Sequence, residues 1–239
     1  MTTRIVKIHL DSQYSQNNST DTPLFYMQTP LNVRGFKLSS VAVPNSVYTV
    51  NSTNNSFTVT ESGVPRTVTL PQGNYSSSQL ATQLQTSLGG AYAVTFNSIK
   101  YTLSITNSGS FKFTFPLGNG SYRILGFPST FNQAEGTSLT SPSAINLGGA
   151  NYLLLVSNGL KSQDNILVGN QGINILGKIN NSVNSGNIIF QEYDTMDWTK
   201  TDCTLTSFQL SLLSSDTLTP ISLNGLPFSC TLTLLVENE

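Results

Sequence analysis

The stretch "YAVTFNSIKYTLSITNSGSFKFTF" (residues 92–115) decides the fold class. Tyr92, Val94 and Phe96 alternate with small or polar residues as far as Asn97-Ser98. Ile99, Tyr101, Leu103 and Ile105 then alternate with Lys100, Thr102, Ser104 and Thr106. A period of two is the pattern of a strand with one buried face and one polar face. The spacing predicts a hairpin with Asn97-Ser98 as a two-residue turn. A further turn is expected at "NSGS" (107–110), followed by a third strand with Phe111, Phe113 and Phe115 on one side.

The same texture extends outward in both directions. Candidate strands fall at 4–10, 24–29, 33–43, 46–50, 57–60, 66–70, 122–126, 151–157, 187–193, 203–213 and 228–236. Pro44, inside "SVAVPNSVYTV", marks a kinked or edge strand, because proline removes a ladder donor. Residues 127–151 and 158–187 are long, turn-rich excursions, a length associated with functional or interface-forming loops. No internal repeat is present. A chain of 239 residues is within the range of one β domain. The expectation is a single domain over 1–239: all-β, a jelly-roll sandwich of about eight core strands with long inter-strand loops.

One segment departs from this texture. In "LPQGNYSSSQLATQLQTSL" (70–88), Ser76 stands three residues before Gln79, the spacing of a capping box. Tyr75 and Leu80 occupy the two positions of a hydrophobic staple. Leu80, Leu84 and Leu88 recur on one helical face, and Gly89-Gly90 offers a left-handed stop. A short helix over 77–88 is predicted, acting as a plug over an open end or edge of the sandwich.

Charged residues make up 10% of the chain, against about 25% in an average soluble domain. With 38% hydrophobic residues in periodic order, the composition is not that of disorder. It suits neutral hydrogen-bonding surface. A net charge of −1 gives no basic field for nucleic acid. The charge is unevenly spread: residues 1–123 hold eight Lys/Arg against three Asp/Glu, and residues 185–239 hold Lys200 against seven acids. Two readings stay open. Distant segments pair within an antiparallel sandwich, or subunits present charge-complementary faces. The N-terminus lacks the apolar core of a signal peptide, and no segment reaches membrane-spanning length. A soluble, intracellularly made protein is expected, with Cys203 and Cys230 as free buried thiols.

Reactive constellations are not found. His9 alternates with Ile8 and Leu10 in the first strand, where a lone histidine is solvated or hydrogen-bonded, and nothing in the sequence places it beside Cys203 or Cys230. "GINILGK" (172–178) has the glycine and lysine spacing of a phosphate loop, but Ile179 stands where the metal-binding hydroxyl is needed. "EYDTMDWTKTD" (192–202) gathers Glu192, Asp194, Asp197 and Asp202 beside the only tryptophan. Its spacing lacks the glycine turn of a calcium loop, so a solvated acidic loop is expected. Tyr193 and Trp198 there are either packing residues or aromatic anchors for a partner, a residue class enriched at interface hot spots. No catalytic residue, metal site or cofactor is expected, and the protein is not expected to be an enzyme.

Several segments together resemble the penton, or vertex, proteins of virophages, polinton-like viruses and large eukaryotic DNA viruses of the adenovirus-like jelly-roll lineage. They are "GFKLSSVAVPNSVYTVN" (35–51), "TVTLPQGNYSSSQLATQLQTSL" (67–88), "YRILGFPS" (122–129), "NYLLLVSNGL" (151–160) and "FQLSLLSSDTLTPISLNGLPFSCTLTLLVEN" (208–238). Pro44, Asn45 and Tyr48, then Leu70, Pro71, Gly73 and Tyr75, then Asn224, Gly225 and Phe228 match the pattern of that group. The resemblance implies a structural capsid protein in the virion. It would form homopentamers at fivefold vertices and contact major capsid protein trimers, with minor capsid proteins or a host receptor as further partners. The chain is too short for the lineage's double jelly roll. The alternative is a minor or cement protein, or a receptor- or carbohydrate-binding jelly roll with Trp198 and Tyr193 as its platform. No Arg-Gly-Asp tripeptide is present, so integrin binding is not expected.

Overall fold

In the computed structural model the first and last strands of the chain lie side by side, which sets the topology of everything between them. The structure describes residues 2–132, 134–162, 167–168, 171–194, 196–215 and 218–238. The strands are β1 (Thr3–Asp11), β2 (Leu24–Pro44), β3 (Ser56–Glu61), β4 (Val64–Thr69), β5 (Tyr92–Asn97), β6 (Thr102–Thr114), β7 (Gly136–Thr140) and β8 (Tyr152–Ser157). They continue as β9 (Leu167–Val168), β10 (Gln171–Gly172), β11 (Ile175–Asn180), β12 (Ile188–Glu192), β13 (Thr199–Ser214) and β14 (Ser229–Glu237). Helix α1 spans Ser77–Leu88 and the single turn α2 spans Ser121–Ile124. The chain folds as two compact units, Met1–Val47 with Ala150–Glu239, and Tyr48–Gly149.

The first unit is the jelly roll. Strand β2 is 21 residues long and serves as two strand lengths. Its first length pairs with β13, and its second pairs with β14 on one edge and β12 on the other. Among the described residues, and leaving aside the separate two-stranded β9–β10 sheet, this gives eight lengths, and they pair from the outside in: β1 with β14, early β2 with β13, late β2 with β12, and β8 with β11. That nesting is a long antiparallel ribbon rolled up on itself. It yields two four-stranded layers, β1–β14–β2–β12 and β2–β13–β8–β11, continuous through β2. The break between the two lengths is local. Leu205 faces Leu31 and Ser207 faces Tyr26, so β2 carries extra residues there, and Pro30 stands among them.

Register explains which side chains enter the core. Phe36, Leu38, Val41 and Val43 of β2, Leu232 and Leu234 of β14, and Leu210 and Leu212 of β13 are all buried. Bulges between Thr231 and Leu232 and between Leu235 and Val236 shift the pairing, so the strict alternation of β2 is interrupted while Phe36, Leu38, Val41 and Val43 stay buried. The layers meet closely at β11, where a Cβ added to Gly177 would lie 2.4 Å from Leu38 Cδ2. Facing β12, Gln191 takes the Asn180 N–H on its Oε1 (3.0 Å) and donates Nε2 to the Lys178 carbonyl (3.1 Å). An edge that would otherwise offer free backbone groups is closed by these side-chain bonds.

Two resemblance motifs converge in this unit. Asn45 Nδ2 donates to Asn181 Oδ1 (3.1 Å) and to the Val183 carbonyl (2.7 Å), and Ser46 Oγ donates to the Leu223 carbonyl (2.7 Å). Asn224 Nδ2 donates to the Ser46 carbonyl. Asn224 and Gly225 both adopt positive φ, 56° and 81°, as the turn requires.

The second unit is a five-stranded sheet, β4–β3–β6–β5 with β7 also on β6, covered by α1. The helix begins and ends as expected. Gln79 N–H donates to Ser76 Oγ (3.3 Å), and Ser76 N–H donates to Gln79 Oε1 (2.9 Å). The chain leaves through Gly89 at φ 103°. Its leucine stripe faces this unit's own sheet, with Leu80, Leu84 and Leu88 buried among Phe57, Phe111 and Phe113. The helix is therefore not a plug on the jelly roll, a correction to the expectation: its apolar face belongs to a second, local core. Arg66 Nη2 donates to the Leu88 carbonyl (2.5 Å) at the helix C-terminus and to Glu61 Oε1 (2.9 Å). The Tyr92 hydroxyl donates to the same Glu61 oxygen (2.8 Å), and these bonds hold the Glu61 carboxyl below its ordinary pKa. Ser76→Ala is expected to lower stability by about 1 kcal/mol. Amide exchange at Gln79 and Leu80 reads that loss, and unchanged exchange at both would refute it.

Other local expectations are corrected. The β5–β6 connection is four residues, 98–101, with Asn97 facing Thr102. Residues 107–110 lie inside β6 rather than forming a turn. Residues 122–126 are not a strand: they include the end of α2. Residues 46–50 contribute only an isolated bridge from Val50 to Gly73.

Candidate interaction surface

The outer face of the β1–β14–β2–β12 layer follows from the register, because directly opposed residues point the same way. Across it run Phe190, Ala42, Ser229 and Asp11, then Glu192, Ser40, Thr231 and His9, then Lys37, Thr233 and Lys7. It is a face of small hydroxyl residues with lysines toward one end and apolar residues toward the other. Ser39 Oγ and Thr233 Oγ1 bond each other at 2.6 Å, and His9 Nδ1 lies 3.2 Å from Thr231 Oγ1. His9 is thus a hydrogen-bonded strand residue.

The two aromatic candidates have different surroundings. Tyr193 directly follows β12. Its N–H donates to the Ser39 carbonyl (2.9 Å), and its hydroxyl donates to the Lys178 carbonyl (2.6 Å). Its ring packs against the core and against Gly177, and burial pushes the hydroxyl pKa up to about 12. Tyr193 therefore ties β11 to the end of β12. Trp198 lies on the outer face. A Cβ at Gly35 would stand 3.5 Å from Trp198 Cε3, so the indole rests on bare backbone there. Lys37 Nζ sits 5.3 Å from its ring centroid, within range of a cation–π contact.

The acids nearby do not assemble. Asp202 pairs with Arg34, which also donates to Glu237 (2.8 Å). Base from the N-terminal part and acid from the C-terminal part thus pair within the sandwich at this point. Glu192, Asp194 and Asp197 are exposed. Among the described residues, no three His, Cys, Asp or Glu side chains come together as metal ligands. Cys203 and Cys230 are free thiols. Burial raises Cys230 to about 12, which leaves it protonated and inert. Gly177 and Lys178 of the phosphate-loop-like stretch lie in β11, where Gly177 serves layer contact and Lys178 Nζ sits 4.4 Å over the Tyr152 ring. No helix among the described residues is long and apolar enough to cross a membrane.

Comparisons with known proteins give a structural likeness. No family model matches the chain, and no curated protein matches it. Among solved structures, it is similar to the penton protein of mavirus at 10% identity and a TM-score of 0.49, over 98% of this chain and 100% of that one. It is also similar to a chain in the structure of the Sputnik virophage at 14% identity and a TM-score of 0.44, over 97% of both chains.

Residue type alone did not mark the exposed apolar residues of this layer. Ile5 on β1 is 63% exposed, and Ile188 and Phe190 on β12 are 65% and 63% exposed. The signal in the sequence is "NIIFQE", which is apolar on both strand faces where alternation predicts one.

Proposed function

We propose that the chain is a structural, non-catalytic viral capsid subunit that forms pentamers closing the fivefold vertices of an icosahedral particle. In that place it contacts neighbouring major capsid proteins and resides in the virion. The observation that carries the reading is the eight-length, outside-in strand nesting of the first unit, a jelly roll whose outer face is rich in small hydroxyl residues, has exposed apolar residues at both margins and carries charge at only a few positions. Such a surface can be buried between subunits without stripping water from many fixed charges. The ordered segments that resemble penton proteins support the same reading, and Asn45 and Asn224 from two of them bond one turn together through Ser46. On this reading 1–239 acts as one capsid subunit, and Trp198, held over Gly35 on the outer face, is the aromatic left for a partner. The test is a cryo-EM map of intact particles. The expected result is density for this chain in five copies at each vertex. Particles lacking the chain, or carrying it only at other positions, would overturn the proposal.

A further inference from the structure

The β1–β14–β2–β12 layer has opposite charges at its two margins. At the β1 margin Lys7 is exposed on the same strand face as Ile5, and Arg4 is exposed on the other face near the start of the strand. At the β12 margin and in the loop that follows it, Glu192, Asp194 and Asp197 are exposed beside Ile188 and Phe190. Among the described residues, none of these five charged groups takes part in an ion pair, whereas Arg34, Asp202 and Glu237 are mutually satisfied. The margins are three strand spacings apart, about 15 Å at about 4.8 Å each. That exceeds the Debye length of about 8 Å at physiological salt, so the margins do not neutralise each other within one chain.

We propose that the β1 margin of one copy docks on the β12 margin of a second copy, head to tail. The inference rests on the self-assembly in the proposed function and names the surfaces that carry it. Opposite edges of one layer give a heterologous contact in which every copy uses both surfaces, the kind that closes rings. Among the described residues β1 has a strand neighbour only at β14, so the second copy covers its other edge. β12 contributes through side chains, since Gln191 and Tyr193 already close its far side against β11. Ile5 meets the Ile188–Phe190 pair at the centre. Arg4 and Lys7 meet Glu192, Asp194 and Asp197 at the rim, where charge sets orientation and encounter rate.

Mass photometry and sedimentation velocity on the full chain test this at physiological salt, with Arg4→Glu/Lys7→Glu, Asp194→Lys/Asp197→Lys and the fourfold variant carrying both pairs. Each double variant places like charges at every contact and is expected to weaken assembly at least about tenfold. The fourfold variant restores opposite signs and is expected to recover assembly to within about threefold of the parent. Ile5→Ser and Phe190→Ser, which leave the charges untouched, should each weaken assembly as well. A parent chain that stays monomeric at roughly 100 µM, a concentration far above that of stable complexes, overturns the docking. So does assembly that all these variants leave unchanged. The latter result would leave the capsid reading standing, because that reading is decided by the particle map.

Discussion

Phe113→Ala is expected to lower the stability of the second unit by about 3–5 kcal/mol, the range for emptying a packed aromatic site. Phe113 is 1% exposed, and its ring centroid lies 4.8 Å from Phe57, 5.7 Å from Phe111 and 6.3 Å from Phe127. Phe127 continues the stack to Phe131 at 4.6 Å and to Phe115 at 5.4 Å. The neighbours stand on β3, on β6 itself and in the segment after α2, so they are anchored from different directions and collapse into the cavity is opposed. Phe113→Leu keeps most of the apolar volume and should cost about 1–2 kcal/mol. Hydrogen exchange at the β3 and β6 amides localises the effect to this sheet. A loss below about 1 kcal/mol for the alanine variant would mean that this core is not the close-packed cluster described.

How much of this was legible in the chain depends on how local each signal is. The helix was fully legible at its ends, because Ser76, Gln79 and Gly89 act on backbone groups within one turn. Its address was not, because a leucine stripe says only that something covers it. The alternation of Tyr92–Phe96 and of Leu103 and Ile105 reads through to the fold, yet Ile99 and Tyr101 kept the same rhythm without burial. Asn97 Oδ1 accepts the Ile99 and Lys100 N–H groups at 3.0 Å each, and Tyr101 takes φ 56°, which makes a four-residue loop from residues that look like strand. The turn composition of "NSGS" was likewise misleading. Asn107 Oδ1 accepts the Gly109 N–H (3.1 Å) inside a strand that runs on, and the extra residues between Thr106 and Phe111 are taken up as an irregularity against β7, with Ile105 and Phe111 both buried on either side of it.

The surface was legible by residue type and not by role. Tyr193 and Trp198 stand out as aromatics in an acidic loop, but what each does is set by a glycine far away in sequence: Gly177 under one and Gly35 under the other. Close approaches of this kind leave no periodic trace. The charge asymmetry was visible along the chain. Its division into a satisfied part around Arg34 and unpaired margins at β1 and β12 exists only once the layer order is known.

Gly159→Ala should be among the most damaging one-carbon changes available in the jelly roll. Gly159 does not adopt a positive φ, so no backbone strain is at issue, and the penalty is purely one of space. An added Cβ would lie 2.4 Å from Phe208 Cβ, 2.8 Å from the Ser207 carbonyl oxygen and 2.9 Å from Phe208 Cα. Those are main-chain and first side-chain atoms of β13, which no rotamer change can move aside. The loop cannot withdraw either. Asn158 N–H donates to the Gln209 carbonyl (3.2 Å), and Gln209 N–H returns a bond to Asn158 Oδ1 (2.9 Å). Ser157 Oγ accepts both the Gly159 and Leu160 N–H groups at 3.2 Å, and Leu160 is fully buried beyond them. Overpacking at a site held on both sides belongs at the upper end of its usual range, about 3 kcal/mol. The comparison is Gly109→Ala, where an added Cβ meets nothing within 4 Å and the change should stay within about 0.5 kcal/mol. Urea denaturation of the two variants against the parent chain separates them. Equal midpoints for Gly159→Ala and Gly109→Ala would mean that the 158–160 turn does not press on β13, and the tight closure of β8 against β13 would have to be withdrawn.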